Sequence, residues 1–279
     1  MFWIFACLNR TKTIDKINAE AFKMDFLSKY IEEKRKKGIE NLSNIQREKP
    51  IRDFVSAISG EKISIIAEIK KSSPSSGVIK DKDAVSCAIE YQEGGADAIS
   101  VLTEQKYFKG DIKDLKSVSE ISKIPVLRKD FIIHKSEIYE SYINGADAFL
   151  LISECFTSPR EIEEMILYGR KLGIEPLLEF FSEEGGEKAI KTSAKVIGIN
   201  NRNLNTLDVD LKRGIELFKK FQNHLKGRIV VSESGIKSKE DILIFVRSGI
   251  NKFLIGETLM RSQNPGELIK ELKNPKGFK

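Results

Sequence analysis

The sequence predicts a (β/α)8 TIM barrel with two extra helices before the first strand. Eight short apolar runs recur at intervals of roughly 20–35 residues, which leaves room for one crossover helix between successive parallel strands. The segments between the runs carry helical periodicity, as in 84–91 and 162–166. A turn is also repeated: EGGADAISVL, INGADAFLLI and RSGINKFLIG each end a helix at glycine and enter a strand two or three residues later. An open, doubly wound sheet is the alternative on the count of elements alone, but the G-x-G-x-x-G fingerprint expected after its first strand is absent.

The elements follow in order along one domain. Two short helices are expected at 24–37 and at about 50–58, the second beginning with Pro50, a residue favoured in the first helical turn. The basic run 34–37 indicates the solvated last turn of the first helix, which would end at Gly38. The predicted strands are 63–69, 97–102, 124–128, 147–152, 175–180, 196–200, 228–232 and 252–256.

The chain of 279 residues suits one barrel better than two equal domains. We expect a single domain over 24–279, in which the extra helices occupy 24–60. Residues 1–23 are expected to be an upstream extension that need not be ordered and takes little part in the fold. The opening MFWIFACL lacks a basic region and a cleavage site and is too short to span a bilayer, so secretion and membrane insertion are not expected.

Charge and composition argue against a nucleic-acid-binding protein, a disulfide-rich protein and a zinc protein. The net charge is +6 and the pI is about 9.0, but the basic residues are spread among 41 acidic ones, so no nucleic-acid partner is expected and an anionic small molecule is favoured. Three widely spaced cysteines and two histidines match neither a disulfide framework nor a zinc site. We therefore expect a reduced cytoplasmic protein, monomeric or weakly dimeric, with no metal and no cofactor.

The first strand carries the clearest sign of catalysis. Glu68 and Lys70 stand two residues apart at its carboxyl end, so both side chains leave the strand on one side. This end of a barrel is where active sites lie. A surface ion pair at a strand end is the alternative interpretation.

Other polar residues follow later strands at the same end of the barrel. The third strand contributes Lys129, the fifth Glu179, and the sixth Asn200 and Arg202. Two lysines, two glutamates, an asparagine and an arginine are thus expected in one mouth, and stability does not explain such a cluster.

The last two loops indicate a phosphate site. Ser234 and Gly235 precede a helix beginning near 238, and Gly256 and Glu257 precede another, so backbone N–H groups can converge on an anion. Barrels commonly bind phosphate after strands seven and eight. Ser73, after the first strand, could add its hydroxyl or amide.

The strings AEIKKSSPSSG, VLTEQKYFKGD, PVLRKDFI, LLEF, GINNRNL, SESGI and LIGETLM, in this order, resemble indole-3-glycerol phosphate synthases of tryptophan biosynthesis, from about residue 24 to 270. The resemblance implies a lyase (decarboxylase) that closes the pyrrole ring of 1-(2-carboxyphenylamino)-1-deoxyribulose 5-phosphate with loss of carbon dioxide and water. It also implies a role for each matched residue. Lys129 would be the general acid; Glu179 and Lys70, with Glu68 beside them, would serve dehydration; Asn200 and Arg202 would hold the hydroxyls and the carboxylate; Phe108 and Leu204 would pack the aromatic ring; Glu233 and Ser234 would line the pocket; and Ser73, Gly235 and Gly256 would bind phosphate.

Two positions depart from some relatives: Ser72 replaces a lysine and Glu257 replaces a serine. Phosphate binding would survive if Glu257 contributes its backbone N–H and its side chain points outward, which we expect. The chemistry also requires an acid at the ketone, and we expect burial and the nearby cations Lys70 and Arg202 to depress the pKa of Lys129 from about 10.4.

Two other functions fit the same residues. A Schiff-base aldolase would use a lysine at a strand end as the nucleophile. A protein that binds a phosphorylated ligand or nucleic acid without catalysis would keep the anion site alone.

Overall fold

The computed structural model describes residues 26–36, 46–73, 77–79 and 82–275. Eight parallel strands form a closed barrel, as the sequence predicts. Each strand pairs with its neighbours in chain order, and the last pairs with the first. The barrel strands are β1 (Ser64–Ile69), β4 (Ala98–Leu102), β5 (Val126–Lys129), β6 (Ala148–Ile152), β7 (Glu175–Phe180), β8 (Val196–Asn200), β9 (Ile229–Glu233) and β10 (Lys252–Ile255). A hairpin of two-residue strands, β2 (Ser72–Ser73) and β3 (Gly77–Val78), follows β1 and is too short for a pattern to predict.

Helices cover the outside of the barrel. Those that alternate with its strands are α3 (Ala84–Glu93), α4 (Ile112–Ile121), α5 (Lys135–Ile143), α6 (Pro159–Lys171), α7 (Glu183–Ala189), α8 (Leu211–Phe221), α9 (Lys239–Ser248) and α10 (Glu257–Arg261), and α11 (Pro265–Lys273) follows the last of them. A 3-10 turn, Ser153–Cys155, follows β6. Most of these helices begin where a Ser or Asp side chain accepts a backbone N–H of the first turn, which supplies a partner that the helix itself cannot provide.

The strands are buried on both faces because side chains alternate between the barrel interior and the helix layer. All six residues of β1 are buried, including Glu68 near its carboxyl end. This double burial explains why the strands are nearly continuous apolar runs rather than alternating patterns.

The repeated turn has a physical explanation in the structure. Gly95, Gly145 and Gly249 follow the ends of their helices with positive φ angles of 82°, 86° and 101°, which side-chain-bearing residues rarely adopt. In the first two copies an aspartate follows two residues later: Asp97 accepts the N–H of a residue in β1, and Asp147 accepts the N–H at the start of β5. The turn thus ends a helix and ties the new strand to its neighbour.

The pre-barrel region differs in part from the prediction. Helix α1 (Phe26–Lys36) lies within the expected range, but α2 (Phe54–Ala57) begins with Asp53 as its N-cap, so the prediction of a helix from Pro50 is wrong. The preceding residues are held in a non-helical conformation because the backbone N–H and guanidinium of Arg52 both bind Asp147. The expected extension 1–23 lies outside the described residues.

The basic run at the end of α1 is also not simply solvated. Lys34 is largely buried and contacts Glu137 at 2.6 Å and Asp130 at 3.6 Å. Arg35 donates to the carbonyl of Cys155 at 3.1 Å. These contacts correct the expectation of a solvated helix end, because they attach α1 to the loops at the carboxyl ends of the barrel strands. The glycine expected to end this helix lies outside the described residues.

Candidate active site

A cavity of about 860 Å³ opens at the carboxyl ends of the barrel strands. Its wall brings together most of the residues that the sequence singles out. Those that line it are Glu68, Lys70, Phe108, Lys129, Glu179, Asn200, Arg202, Leu204, Ser234, Gly235, Gly256 and Glu257. Residues distant along the chain therefore meet in one place, as a barrel mouth requires.

Strand periodicity decides which charged residues face this cavity. Arg128 and Lys129 are consecutive, so they leave β5 on opposite sides. Arg128 points to the helix layer, where its guanidinium donates to Glu140 at 2.7 Å and to Thr103 at 3.0 Å. Lys129 points into the barrel, toward the cavity. Arg128 stabilises the helix layer outside the barrel.

Lys129 lies between two buried carboxylates. Its Nζ is 3.0 Å from Glu179 Oε2 and 3.5 Å from Glu233 Oε2. Glu68 approaches from β1 and pairs with Lys70 at 2.9 Å. The interior of the mouth therefore contains three carboxyl groups and two ammonium groups.

The pKa of Lys129 is shifted in the direction opposite to our expectation. Burial lowers its pKa, but the nearby carboxylates of Glu179, Glu233 and Glu68 outweigh burial and raise the pKa above its ordinary value. The expected neighbouring cations do not dominate, because Lys70 is paired with Glu68. Lys129 therefore favours the charged ammonium form in the free protein.

Glu233, expected to line the pocket, lies behind Lys129 and is almost completely buried. Burial and the adjacent Glu179 raise its pKa well above the ordinary value, although Lys129 opposes this. Gly198, on the adjacent strand β8, leaves the space that this carboxyl occupies, since a Cβ there would lie 2.1 Å from Glu233 Oε1. The Glu233 carboxyl group therefore favours its protonated form more than an ordinary glutamate does.

Asn200 orients two other groups of the mouth. Its amide nitrogen donates to Glu179 Oε1 at 2.7 Å, and its oxygen accepts the backbone N–H of Arg202 at 2.9 Å. The Arg202 guanidinium donates to the carbonyl of Leu207 at 2.7 Å, and burial lowers its pKa, although arginine stays charged at neutral pH. Glu179 thus has a fixed orientation, held by Lys129 on one oxygen and Asn200 on the other.

The cavity lining also includes an apolar wall. Leu204 and Phe108 contribute to it, together with Phe131 and Leu150. The rings of Phe108 and Phe131 lie 6.3 Å apart, centroid to centroid. A flat aromatic group is the type of ligand that such a wall accommodates.

The loops after β9 and β10 form one side of the cavity. Ser234 and Gly235 both have positive φ angles, 67° and 80°, and α9 begins soon afterwards, close to the predicted position, with Ser238 as its N-cap. Gly256 lies at the start of α10. Ser73 belongs to β2, but its side chain is outside the described part of the chain.

Ser72 and Glu257, the two residues that differ from some relatives, both make contacts within the structure. The hydroxyl of Ser72 donates to the carbonyl of Gly77 at 2.9 Å, so it closes the β2–β3 hairpin. The carboxylate of Glu257 pairs with Arg261 one helical turn later at 2.9 Å and is about one-third exposed. The nearby guanidinium reduces the repulsion that Glu257 would otherwise exert on an anion.

The sequence does not single out Tyr30 or Phe131, whereas Glu104 stands at the expected end of the second strand. Tyr30 belongs to the apolar stripe of α1, and its hydroxyl donates to Glu104 at 3.1 Å. The rings of Phe131 and Tyr30 contact each other in a tilted arrangement, with centroids 4.7 Å apart. The position of Phe131, two residues after Lys129, was the only available signal, since the contacts with α1 depend on tertiary packing.

No helix among the described residues is long and apolar enough to cross a bilayer. Within the same part of the chain, no group of three or more His, Cys, Asp or Glu side chains is arranged to hold a metal ion.

Comparisons with known proteins agree with this geometry. A family model described as "Indole-3-glycerol phosphate synthase" matches residues 24–272. Curated proteins with that name are similar over most of their length. The one from Aquifex aeolicus is 44% identical over 228 residues, covering 82% of this chain and 88% of the relative. The one from Alkaliphilus metalliredigens is 43% identical over 240 residues, covering 84% and 89%. The one from Acetivibrio thermocellus is 45% identical over 227 residues, covering 81% and 85%.

Proposed function

The chain belongs to the indole-3-glycerol phosphate synthase family, and from this membership we propose how the side chains of its barrel mouth carry out the family's reaction. The enzyme is a carboxy-lyase of tryptophan biosynthesis. It converts 1-(2-carboxyphenylamino)-1-deoxyribulose 5-phosphate to indole-3-glycerol phosphate, with loss of carbon dioxide and water. The individual roles below are our assignment and are supported by the geometry of the cavity.

The substrate has three parts, and the cavity offers a suitable surface for each. The apolar wall at Phe108 and Leu204 takes the aromatic ring, and Arg202 binds the carboxylate on that ring. The backbone N–H groups around Gly235 and Gly256, with Ser234 and Ser73, bind the phosphate, and Glu257 contributes its N–H rather than its side chain. The ketone of the ribulose portion then lies near the centre, beside Lys129.

Ring closure begins when the ring carbon that bears the carboxyl group attacks the ketone carbon. A carbon–carbon bond forms, and the ketone oxygen takes a proton from Lys129. The raised pKa of Lys129 ensures that the proton is present before the reaction, and the attack supplies an increasingly basic oxygen to receive it. Loss of carbon dioxide leaves the bonding electrons in the ring and restores its aromaticity.

Dehydration completes the pyrrole ring. The new hydroxyl leaves as water after receiving a proton from Lys70, and Glu179 accepts the proton lost from the neighbouring carbon. Asn200 and Lys129 fix Glu179 in one orientation, and Glu68 holds Lys70. The carboxylates therefore serve as bases and the ammonium groups as acids.

The observation that carries these assignments is the position of Lys129, which faces the cavity between Glu179 and Glu233. The test is indole absorbance and carbon dioxide release when the purified protein meets the substrate. Lys129→Ala is expected to reduce kcat about a thousandfold, and Glu179→Gln by a comparable or smaller factor. Lys135→Ala is the matched control, since it removes an exposed lysine on α5, and it should leave kcat unchanged. A fully active Lys129→Ala enzyme would overturn the acid assignment.

The aldolase alternative finds less support. A lysine that forms a Schiff base must be a neutral amine, and the carboxylates around Lys129 favour the charged form. Borohydride should therefore fail to trap a substrate adduct on Lys129 or Lys70. A trapped adduct would favour the aldolase.

We also propose that the enzyme works in the cytoplasm as a monomer or weak homodimer and without nucleic acid. The cytoplasmic location is supported by Cys87 and Cys155, which are buried free thiols. Light scattering at micromolar concentration and a polynucleotide-binding titration test the assembly and the absence of nucleic acid.

A further inference from the structure

The loop after β4 is wound around one buried carboxylate, that of Glu104. Oε1 accepts the backbone N–H of Lys106 at 2.9 Å, and Oε2 accepts those of Tyr107 at 2.7 Å and Phe108 at 3.1 Å. The Glu104 carbonyl also accepts the N–H of Gly110 at 2.8 Å. Three consecutive N–H groups thus point at one side chain, which determines the path of the loop.

This loop positions a residue of the cavity wall. Phe108 lies at the cavity, and its own N–H is one of the three that Glu104 holds. The next residue, Lys109, has a positive φ angle of 52°, which is unfavourable for a lysine and persists only when the surrounding structure enforces it. Glu104 supplies that enforcement, since its side chain and its carbonyl bind the loop on both sides of Lys109.

The same carboxylate holds helix α1. Tyr30 donates its hydroxyl to Glu104 Oε1 at 3.1 Å, and its ring contacts those of Phe131 and Tyr107, with centroids 4.7 and 5.7 Å away. Phe131 lines the cavity beside Phe108. Glu104 therefore joins the pre-barrel helix to the aromatic wall through one nearly inaccessible side chain.

We propose that Glu104 is a positioning residue for the aromatic part of the substrate. The hydrogen bond from the Tyr30 hydroxyl to Glu104 lets helix α1 help to hold the aromatic wall in place. The proposal rests on the function proposed above, because it takes the wall at Phe108 as the ring site. Glu104 itself takes part in no bond-making step. Its removal displaces the wall, whereas the phosphate loops across the cavity keep their geometry.

Glu104→Gln is the main variant. A glutamine has one acceptor oxygen and one NH2 group, so in either orientation some of the donors that Glu104 holds must face another donor. Two fragment probes separate ring binding from general disorder: 2-aminobenzoate for the ring site and ribulose 5-phosphate for the sugar-phosphate site. The dissociation constant of 2-aminobenzoate is expected to rise about tenfold, which corresponds to about 1.4 kcal/mol, while that of ribulose 5-phosphate changes by less than about twofold. With the full substrate, KM should rise by more than kcat falls.

Tyr30→Phe keeps the ring and removes only the hydroxyl. It is expected to weaken 2-aminobenzoate about threefold, and to have no further effect in the Glu104→Gln background, because the acceptor is already altered. This variant also keeps the proposal testable if Glu104→Gln does not fold. The matched control is Glu161→Gln, which alters another carboxylate that holds a loop, at Thr157, and should leave both probes unchanged.

Equal weakening of both probes, or unchanged binding of 2-aminobenzoate in both Glu104→Gln and Tyr30→Phe, overturns the proposal. Probe binding does not require turnover, so these outcomes are distinct from failure of the proposed function. The latter would show as a wild-type protein that forms no indole from the full substrate.

Discussion

Replacing Lys129 by methionine removes the ammonium group from between two buried carboxyl groups while keeping a side chain of similar length. The Lys129 Nζ lies 3.0 Å from Glu179 and 3.5 Å from Glu233, and both carboxyl groups are almost inaccessible to water. Breaking a buried ion pair by removal of one partner costs about 3–5 kcal/mol, because an uncompensated charge remains. For a chain of this size, that cost lowers Tm by about 10 °C.

The loss of stability should depend on pH. Without Lys129, the pKa of the neighbouring carboxyl groups rises in the folded state relative to the unfolded state. A carboxyl with a raised folded pKa stabilises the protein below its unfolded pKa, and this contribution is lost as the pH rises through the folded pKa. Lys129→Met should therefore be much less stable than wild type at pH 8 and closer to wild type at pH 5. Thermal unfolding by circular dichroism at both pH values measures this difference.

A second substitution separates stability from catalysis. In Lys129→Met/Glu179→Gln, one of the carboxylates is neutral, so stability at pH 8 should recover, whereas kcat should stay about a thousandfold below wild type. If the loss of Tm is the same at pH 5 and pH 8, or if the second substitution restores none of it, Lys129 does not neutralise buried carboxylates and the account of its raised pKa is wrong.

Three further predictions concern other sites. Gly256→Ala places a Cβ 2.3 Å from Glu68 Oε1, so Glu68 must move away, and kcat/KM should fall roughly 10–100-fold with little change in the circular dichroism spectrum. Asp147→Asn leaves two arginines with an inadequate partner at the amino-terminal end of the barrel and should lower the free energy of unfolding in urea by about 3–5 kcal/mol, with kcat unchanged at 25 °C. Burial raises the pKa of Glu154 to about 7, so stability should fall by about 3 kcal/mol as the pH rises from about 4.5 to 7, and Glu154→Gln should abolish that slope in urea titrations.

Much of the fold could be predicted because its determinants are local. A parallel strand buried on both faces must be apolar along its whole length, so the eight strands stand out as runs. Side chains alternate along a strand, so Glu68 and Lys70 were expected on one face. The carboxyl ends of all strands meet at one end of a barrel, so these two residues were expected near Lys129 and Glu179. These four residues line one cavity in the structure.

The expectations that failed depend on contacts between distant segments. The residues after Pro50 do not form a helix because Arg52 binds Asp147, which lies 95 positions further along the chain. Lys34 is largely buried because it contacts Asp130, just after β5, and Glu137, on α5. The pKa of Lys129 rises because carboxylates surround it, and their distances cannot be read from spacing.

The two ends of the barrel treat buried charge differently. At the amino-terminal end, Asp147 accepts hydrogen bonds from Arg47, Arg52 and a strand N–H, so each of its oxygens has a partner. At the carboxyl-terminal end, both oxygens of Glu233 lack a hydrogen-bond partner among the described residues, and its pKa is raised. Native structures seldom leave such groups unsatisfied unless they have a role. Asp147 is therefore fully satisfied at the end where only stability is needed, whereas the Glu233 carboxyl is left without hydrogen bonds from the described part of the chain at the end where the reaction takes place. This contrast explains why substitutions at Asp147 should affect unfolding alone, whereas those around Lys129 should affect both unfolding and turnover.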